Sequence, residues 1–143
     1  MFSESVKHSI QAMIHLANND GQLIMVNQIA EEFDIPRYYL AKLVQILAKH
    51  HLIQSVQGRN GGIRLNKPAK EIKIIDIVHA IEGPPPENEM CIFGLDECSD
   101  FVPCPIHSDW KQMKIQLNDK IYDRNLDDLN KELMKKHKLL QSI

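Results

Sequence analysis

Hydrophobic residues recur along the first third of the chain in an order that predicts a helix-turn-helix. Apolar side chains three or four positions apart over residues 3–19 indicate an amphipathic helix. A short extended run at residues 23–26 predicts an edge strand, and Asn27 is placed to cap a second helix. Pro36 suits the first position of a third helix, because the N–H that proline lacks has no partner there. The two-residue gap 34–35 is then the turn of a helix-turn-helix.

The next segments predict a β-hairpin followed by a fourth helix. Extended runs at residues 52–57 and 63–67 flank the glycine-rich segment 58–62. Because glycine reaches the positive φ angles that a hairpin tip requires, we predict a wing at this position. Isoleucine and valine at helical spacing between residues 74 and 81 indicate the fourth helix. The residues predicted on the buried face of the third helix are Leu40, Leu43, Val44 and Leu47.

Three consecutive prolines at residues 84–86 interrupt this helical pattern. Since proline is disfavoured inside a helix, we expect an irregular segment from there to about residue 104. A long helix is predicted after Pro105, and Asn125 is placed to cap a last helix. The apolar residues predicted to face inward on the long helix are Ile106, Trp110, Met113, Leu117 and Ile121.

Charge is distributed unevenly along the 143 residues, whose formal net charge is −2. Residues 33–73 carry eight Lys or Arg and two acidic residues, whereas residues 82–100 carry six acidic residues and no Lys or Arg. A basic region beside an acidic loop indicates two separate tasks, although a solvated basic face is the simpler interpretation. The N-terminus lacks the apolar segment of a signal peptide and no run suits a membrane span, so we expect a cytoplasmic protein with no membrane partner.

The basic region holds the side chains that would bind double-stranded DNA. Arg and Gln on the third helix can pair with base edges, whereas Tyr and Lys mainly hold phosphates. The wing tip has no bulky side chain, so it can approach a narrow groove. The alternative is that the two tyrosines are packing residues and the arginines are solvated. The predicted DNA-binding residues are Lys7, Arg37, Tyr38, Tyr39, Lys42, Gln45, Arg59, Asn60 and Arg64.

All three cysteines of the chain, Cys91, Cys98 and Cys104, lie within fourteen residues. A close cluster in a polar loop of a cytoplasmic protein indicates metal binding or redox chemistry rather than a disulfide framework. His107 lies about one helical turn after Cys104, so it can supply a fourth donor. Three thiolates and one imidazole suit zinc or an iron–sulfur cluster, and the wide spacing fits a loop around a cluster better than a zinc knuckle.

The chain resembles the winged-helix regulators typified by IscR and NsrR, the Rrf-two family, over nearly its whole length. The resemblance rests on the first-helix run SVKHSIQAMIHLA, the run IPRYYLAKL and the wing GRNGGIRL. It continues through IIDIVHAIEG to the cysteine loop with CPIHSDW. Two features depart from IscR-like proteins. The first cysteine gap is one residue longer, which leaves the cluster type open, and the RYY run replaces small polar residues, so the operator cannot be transferred.

The resemblance implies a homodimer built on a helix at about residues 106–123 and a cluster bound by the three cysteines. In IscR-like members a histidine three residues after the last cysteine is the fourth ligand, which His107 matches, and this favours a 2Fe–2S cluster. NsrR-like members take the fourth ligand from the first helix of the partner, where His8 is the matching residue. A 4Fe–4S cluster or zinc stays open as an alternative.

The sequence therefore predicts a mainly α fold with a small β-hairpin, namely a winged helix-turn-helix plus a long C-terminal dimerisation helix. We expect a DNA-binding domain at residues 1–82, a cluster loop at 83–105 and a dimerisation region at 106–143.

The predicted function is a transcription regulator that binds a roughly palindromic DNA operator under the control of an iron–sulfur cluster. One alternative is a winged-helix regulator that uses zinc or redox thiols and has no cluster. Another is a winged-helix protein-interaction module. We expect no enzyme, because the sequence contains no phosphate-binding loop, nucleophile elbow or paired carboxylates.

Overall fold

The computed structural model describes residues 2–84 and 91–141, apart from the side chains of His137 and Gln141. The predicted irregular segment therefore lies partly outside the described residues, including two of its three prolines. The helices are α1 Glu4–Asn18, α2 Val26–Glu32, α3 Arg37–Lys49, α4 Ile74–Glu82, α5 His107–Leu117 and α6 Leu126–Gln141. The strands are β1 Ile53–Val56 and β2 Gly62–Leu65, with a 3₁₀ turn at Ala69–Glu71 and a π-helical turn at Asn118–Tyr122.

Helices α1 to α4 and the hairpin enclose one hydrophobic core, to which α6 contributes Leu126. The Ser3 hydroxyl accepts a hydrogen bond from the Val6 N–H and so fixes the start of α1. The buried face of α1 consists of Val6, Ser9, Ala12, Met13 and Leu16. The predicted buried face of α3 is confirmed, since all four of its leucine and valine side chains are inaccessible to solvent or nearly so.

The wing is an antiparallel pair in which Ile53 lies opposite Leu65 and Val56 lies opposite Gly62. The predicted edge strand at residues 23–26 shortens to one bridge, in which Ile24 and Ile63 exchange two backbone hydrogen bonds of 2.9 and 2.8 Å. Gly62 is required there, because a Cβ on this residue would lie 2.8 Å from the Ile24 carbonyl oxygen. The wing is thus fixed to the segment that precedes α2.

The start of α2 differs from the prediction that Asn27 caps this helix. The helix begins one residue earlier, at Val26, and the Gln28 side chain accepts a hydrogen bond from the Met25 N–H at 3.2 Å. Pro36 is likewise the residue before α3 rather than its first residue: its ψ of 125° is extended. Its carbonyl accepts the first helical bond, from the Leu40 N–H. Both predicted boundaries were therefore wrong by a residue or more.

The C-terminal helices are joined to the core at one junction. The Leu126 N–H donates to the Ile72 carbonyl at 2.7 Å, and the Ile74 N–H donates to the Arg124 carbonyl at 3.1 Å. The prediction that Asn125 caps the last helix is confirmed, since its side-chain oxygen accepts from the Asp128 N–H at 2.8 Å. The start of α4 is therefore attached directly to the connection between α5 and α6.

Helix α5 lies outside the core, and His107 is its one buried residue. The prediction that its apolar residues face inward is wrong for Met113, which is 61% exposed, while Trp110 and Leu117 are half-buried. These side chains line an open groove of about 470 Å³. Within a single chain, α5 thus leaves its apolar face uncovered. No helix in the described ranges is long and apolar enough to cross a bilayer.

Candidate DNA interface and cysteine site

The solvent face of α3 presents basic and aromatic side chains opposite its buried face. Arg37, Tyr38, Lys42 and Gln45 are all exposed. Tyr38 is 76% exposed, and the Lys42 ammonium lies 4.7 Å from the centre of its ring. Such a cation–π contact limits the freedom of both side chains while it leaves them at the surface. The face can therefore offer two cations, a phenol and an amide to one ligand.

Tyr39 occupies a different environment from its neighbour. Its hydroxyl lies 2.5 Å from the Ser5 hydroxyl of α1, and its ring packs edge-to-face on the His8 ring with centres 5.9 Å apart. Because adjacent helical residues point about 100° apart, Tyr39 faces α1 while Tyr38 faces solvent. The structure thus places Tyr39 in the packing position that was the alternative for both tyrosines.

The wing brings further basic side chains to the same side of the molecule. Arg59 and Asn60 are exposed at its tip, whereas the half-buried Arg64 donates from Nε to the Gln54 side-chain oxygen at 2.8 Å. A groove of about 280 Å³ separates the wing from α2 and α3, and both Arg37 and Arg59 line it. Two guanidinium groups from separate elements therefore border one groove. This combination is suited to a phosphate backbone.

Lys7 on α1 is exposed and forms an ion pair with Glu4 one turn earlier. The lysine hydrogen bond to that carboxylate, with their mutual attraction, lowers the pKa of Glu4. A phosphate would have to compete with Glu4 for the ammonium. Lys7 is therefore less available to bind DNA than the arginine at the wing tip.

The three cysteines and His107 line one cavity of about 530 Å³ at the start of α5. The loop folds back on itself because the Cys91 N–H donates to the Asp96 carbonyl at 2.9 Å and the Gly94 N–H donates to the Cys91 carbonyl at 2.7 Å. The Cys104 carbonyl accepts the His107 N–H at 3.0 Å, which places these two residues one turn apart as the sequence indicated.

The cavity favours the thiolate form of Cys91. The Phe93 backbone N–H that donates to its sulfur lowers the pKa of Cys91, and contacts with Cys104 and the Leu95 N–H act in the same direction against the effect of burial. Because thiolates rather than thiols bind metals, this environment suits a ligand. Cys98 Sγ lies 3.2 Å from His107 Nδ1, so the imidazole faces a second sulfur.

Within residues 2–84 and 91–141, no three His, Cys, Asp or Glu side chains are close enough together to hold a single metal ion. The four donors instead surround a cavity, and their chemistry is that of soft sulfur plus one imidazole. This donor set fits an iron–sulfur cluster, which is larger than one ion. His8 does not line the cavity of its own chain and instead bonds to Gln11 at 3.1 Å.

Two charged residues at this site carried no sequence prediction. The Asp100 carboxylate accepts from His107 Nε2 at 2.7 Å and from the Lys111 ammonium at 3.0 and 3.2 Å. The hydrogen bonds from His107 and then Lys111 lower the pKa of Asp100. Asp100 was visible in the sequence only as one of several acids in the loop. The four-residue spacing of His107 and Lys111, which places both on one helical face, was the available signal.

Comparisons with known proteins agree with this architecture. The family model Rrf2, described as an iron-dependent transcriptional regulator, matches residues 2–132. A protein of Aquifex aeolicus (strain VF5), named as an HTH-type transcriptional regulator, is 35% identical over 131 residues that cover 90% of each chain. The oxidized form of Staphylococcus aureus CymR is 30% identical, with a TM-score of 0.72 and coverage of 91% of this chain and 95% of that one.

The structure of IscR from T. potens is 26% identical, with a TM-score of 0.74 and coverage of 93% of this chain and 88% of that one. The predicted mainly helical fold with a small hairpin is therefore confirmed. The chain belongs to the Rrf2 family, and it is a DNA-binding transcription regulator rather than an enzyme.

Proposed function

We propose that this regulator binds operator DNA as a homodimer and that an iron–sulfur cluster held by Cys91, Cys98, Cys104 and His107 controls its affinity. The observation that carries the proposal is the convergence of three thiols and one imidazole on a single cavity. The family description, an iron-dependent regulator, supports iron as the metal. When bound, the cluster supplies a centre that reacts with oxidants or nitric oxide. We favour a 2Fe–2S cluster because the IscR-like spacing of His107 supplies the fourth ligand.

The chain divides into three tasks in this proposal. Residues 1–82 bind DNA, residues 83–105 hold the cluster and residues 106–143 form the dimer. The uncovered apolar face of α5 supports the last assignment, because a partner helix would remove Met113 and its neighbours from water. A two-fold dimer places two α3 helices on a roughly palindromic operator, about one or two DNA turns apart. Since its target is DNA, we place the protein in the cytoplasm.

The junction between α5 and α6 supplies the route from the cluster to the DNA-binding surface. The cluster loop ends at the first turn of α5, and the far end of α5 leads to residues bonded to the start of α4. An ion pair of 2.7 Å between Lys73 and Asp123 adds to this attachment. Loss of the cluster would free the loop, and the resulting change in α5 would reach the winged unit through these bonds.

A thiol switch without a metal is the second candidate, because one observation favours it. Backbone hydrogen bonds, chiefly from Phe93, lower the pKa of the Cys91 thiol, and Cys91 contacts the side chain of Cys104. Oxidation could therefore join these two sulfurs with loss of two electrons and two protons to an oxidant such as peroxide. The solved oxidized form of a relative makes this candidate concrete. Zinc would use the same four donors without any redox reaction.

Anaerobic purification followed by iron and sulfide quantification distinguishes these candidates. We expect iron and sulfide in equal amounts together with visible absorption. The variant Cys98→Ala should lack the iron, the sulfide and the absorption. The matched control is Ser108→Ala, an exposed residue next to His107 that lines no part of the cavity. Colourless, iron-free protein after reconstitution would contradict the cluster, and a disulfide between Cys91 and Cys104 after treatment of that sample with peroxide would identify the thiol switch.

A further inference from the structure

The two ring nitrogens of His107 face different partners: one faces the carboxylate of Asp100, and the other faces the sulfur of Cys98. Nε2 lies 2.7 Å from an Asp100 oxygen, and Nδ1 lies 3.2 Å from Cys98 Sγ. We infer that Asp100 is a positioning residue that orients His107 so that Nδ1, and not Nε2, is the nitrogen ligand to the group held by the cysteines. This inference rests on the proposed function, because it concerns the same four donors.

The hydrogen-bond chemistry decides which nitrogen is free. An ionised carboxylate can only accept, so the proton shared by Asp100 and His107 belongs to Nε2. In the neutral imidazole the other nitrogen then carries a lone pair, and this lone pair is directed toward Cys98. Because the ring is only 8% exposed, water does not compete effectively for either nitrogen. These contacts therefore favour the tautomer with its proton on Nε2 before any metal arrives.

Lys111 holds Asp100 in the orientation that this role requires. Its ammonium lies 3.0 and 3.2 Å from the two carboxylate oxygens, and it stands one turn after His107 on α5. Each carboxylate oxygen therefore faces the ammonium, and one of them faces His107 Nε2 as well. Asp100 belongs to the loop while both partners belong to α5, so one side chain joins the two elements.

This arrangement is the one by which proteins commonly orient metal-binding histidines. A histidine ligand usually donates its second N–H to a carboxylate or carbonyl, which fixes the ring and raises its basicity. Removal of such a partner typically weakens metal binding by about 10- to 100-fold. The consequence here is that Asp100, which is not among the residues that line the cysteine cavity, controls how long the cluster is retained.

The tautomer can be tested without a cluster. We would record long-range ¹H–¹⁵N correlations of histidine-labelled apo protein under conditions in which the ring is neutral. The expected spectrum shows the His107 proton on Nε2 in the wild type and in Asp109→Ala, an exposed acid two residues from the ring. In Asp100→Ala the two tautomers should mix, and Asp100→Asn, which keeps an acceptor oxygen, should restore the wild-type tautomer in part. A proton on Nδ1 in the wild type would overturn the inference.

The ligand atom is tested on the reconstituted protein by pulsed electron paramagnetic resonance of the reduced cluster. Protein labelled with ¹⁵N at Nδ1 alone should show the strong nitrogen coupling of a direct ligand, and label at Nε2 alone should not. Asp100→Ala should lose iron to a chelator at least about tenfold faster than wild type. Asp109→Ala should lose iron at the wild-type rate.

These outcomes separate the inference from the proposed function. Strong coupling at Nε2, no histidine coupling, or unchanged iron loss in Asp100→Ala would overturn the inference while a cluster is still present. Wild-type protein that takes up no iron and sulfide would overturn both.

Discussion

Arg37 of α3 and Arg59 of the wing border one groove, so their removal should flatten the salt dependence of DNA binding in a predictable way. Each phosphate contact contributes about −0.9 to the slope of log affinity against log salt concentration. The proposed dimer carries each arginine twice, so the substitution Arg37→Ala or Arg59→Ala should flatten that slope by about 1.8. Between about 50 and 200 mM salt, wild type should then lose about twelvefold more affinity than either variant.

The assay needs no knowledge of the operator, because the phosphate contribution is independent of base sequence. Fluorescence anisotropy on a generic duplex over a salt series measures the slope, and the double variant should flatten it by about 3.6. Lys49→Ala is the matched control, since this exposed basic residue lies at the opposite end of α3 from Arg37. Equal slopes for wild type, both arginine variants and the control would refute the assignment of this groove to DNA.

The remaining predictions concern packing and assembly. Tyr39→Phe keeps the ring but removes the hydrogen bond to Ser5, so urea unfolding should show a loss of about 0.5–1.5 kcal/mol, whereas Tyr38→Phe should leave the free energy of unfolding unchanged. Equal effects at both positions would contradict the different environments of the two tyrosines. Met113→Lys would place an unpaired ammonium in the proposed dimer interface. Sedimentation should therefore show that the dissociation constant of the dimer rises by about 100-fold or more. Gln112→Lys, an equally basic change at a neighbouring exposed position, should remain dimeric, and two dimeric variants would exclude the α5 interface.

Local periodicity predicted the helices and the wing because it records which side chains must leave water. The buried face of α3 was correct at all four positions for this reason. Helix starts were less predictable. Asn27 is a common capping residue, yet α2 begins before it, where the Gln28 side chain accepts a hydrogen bond from the Met25 N–H. The edge strand shortened because Ile24 pairs with Ile63, a contact between residues far apart in sequence.

In the candidate site, too, features set by local spacing could be predicted, whereas features set by contacts between distant segments could not. Cys104 and His107 could be placed together from their spacing, because one helical turn determines their separation. The separate environments of Tyr38 and Tyr39 depend on the position of α1, which no local pattern contains. Met113 followed the periodicity of an inward face, yet a single chain has nothing to cover it. Asp100 was missed because its role depends on a loop that folds back onto α5.

DNA affinity measured on one anaerobic preparation before cluster removal, after removal and after reconstitution tests cluster control most directly. The duplex would be selected from a random pool by the cluster-loaded protein. We expect affinity to change by about tenfold or more on removal and to return on reconstitution, with Cys98→Ala matching the stripped protein. The same affinity in all four samples, with the cluster content verified in each, would contradict control of DNA binding by the cysteine loop.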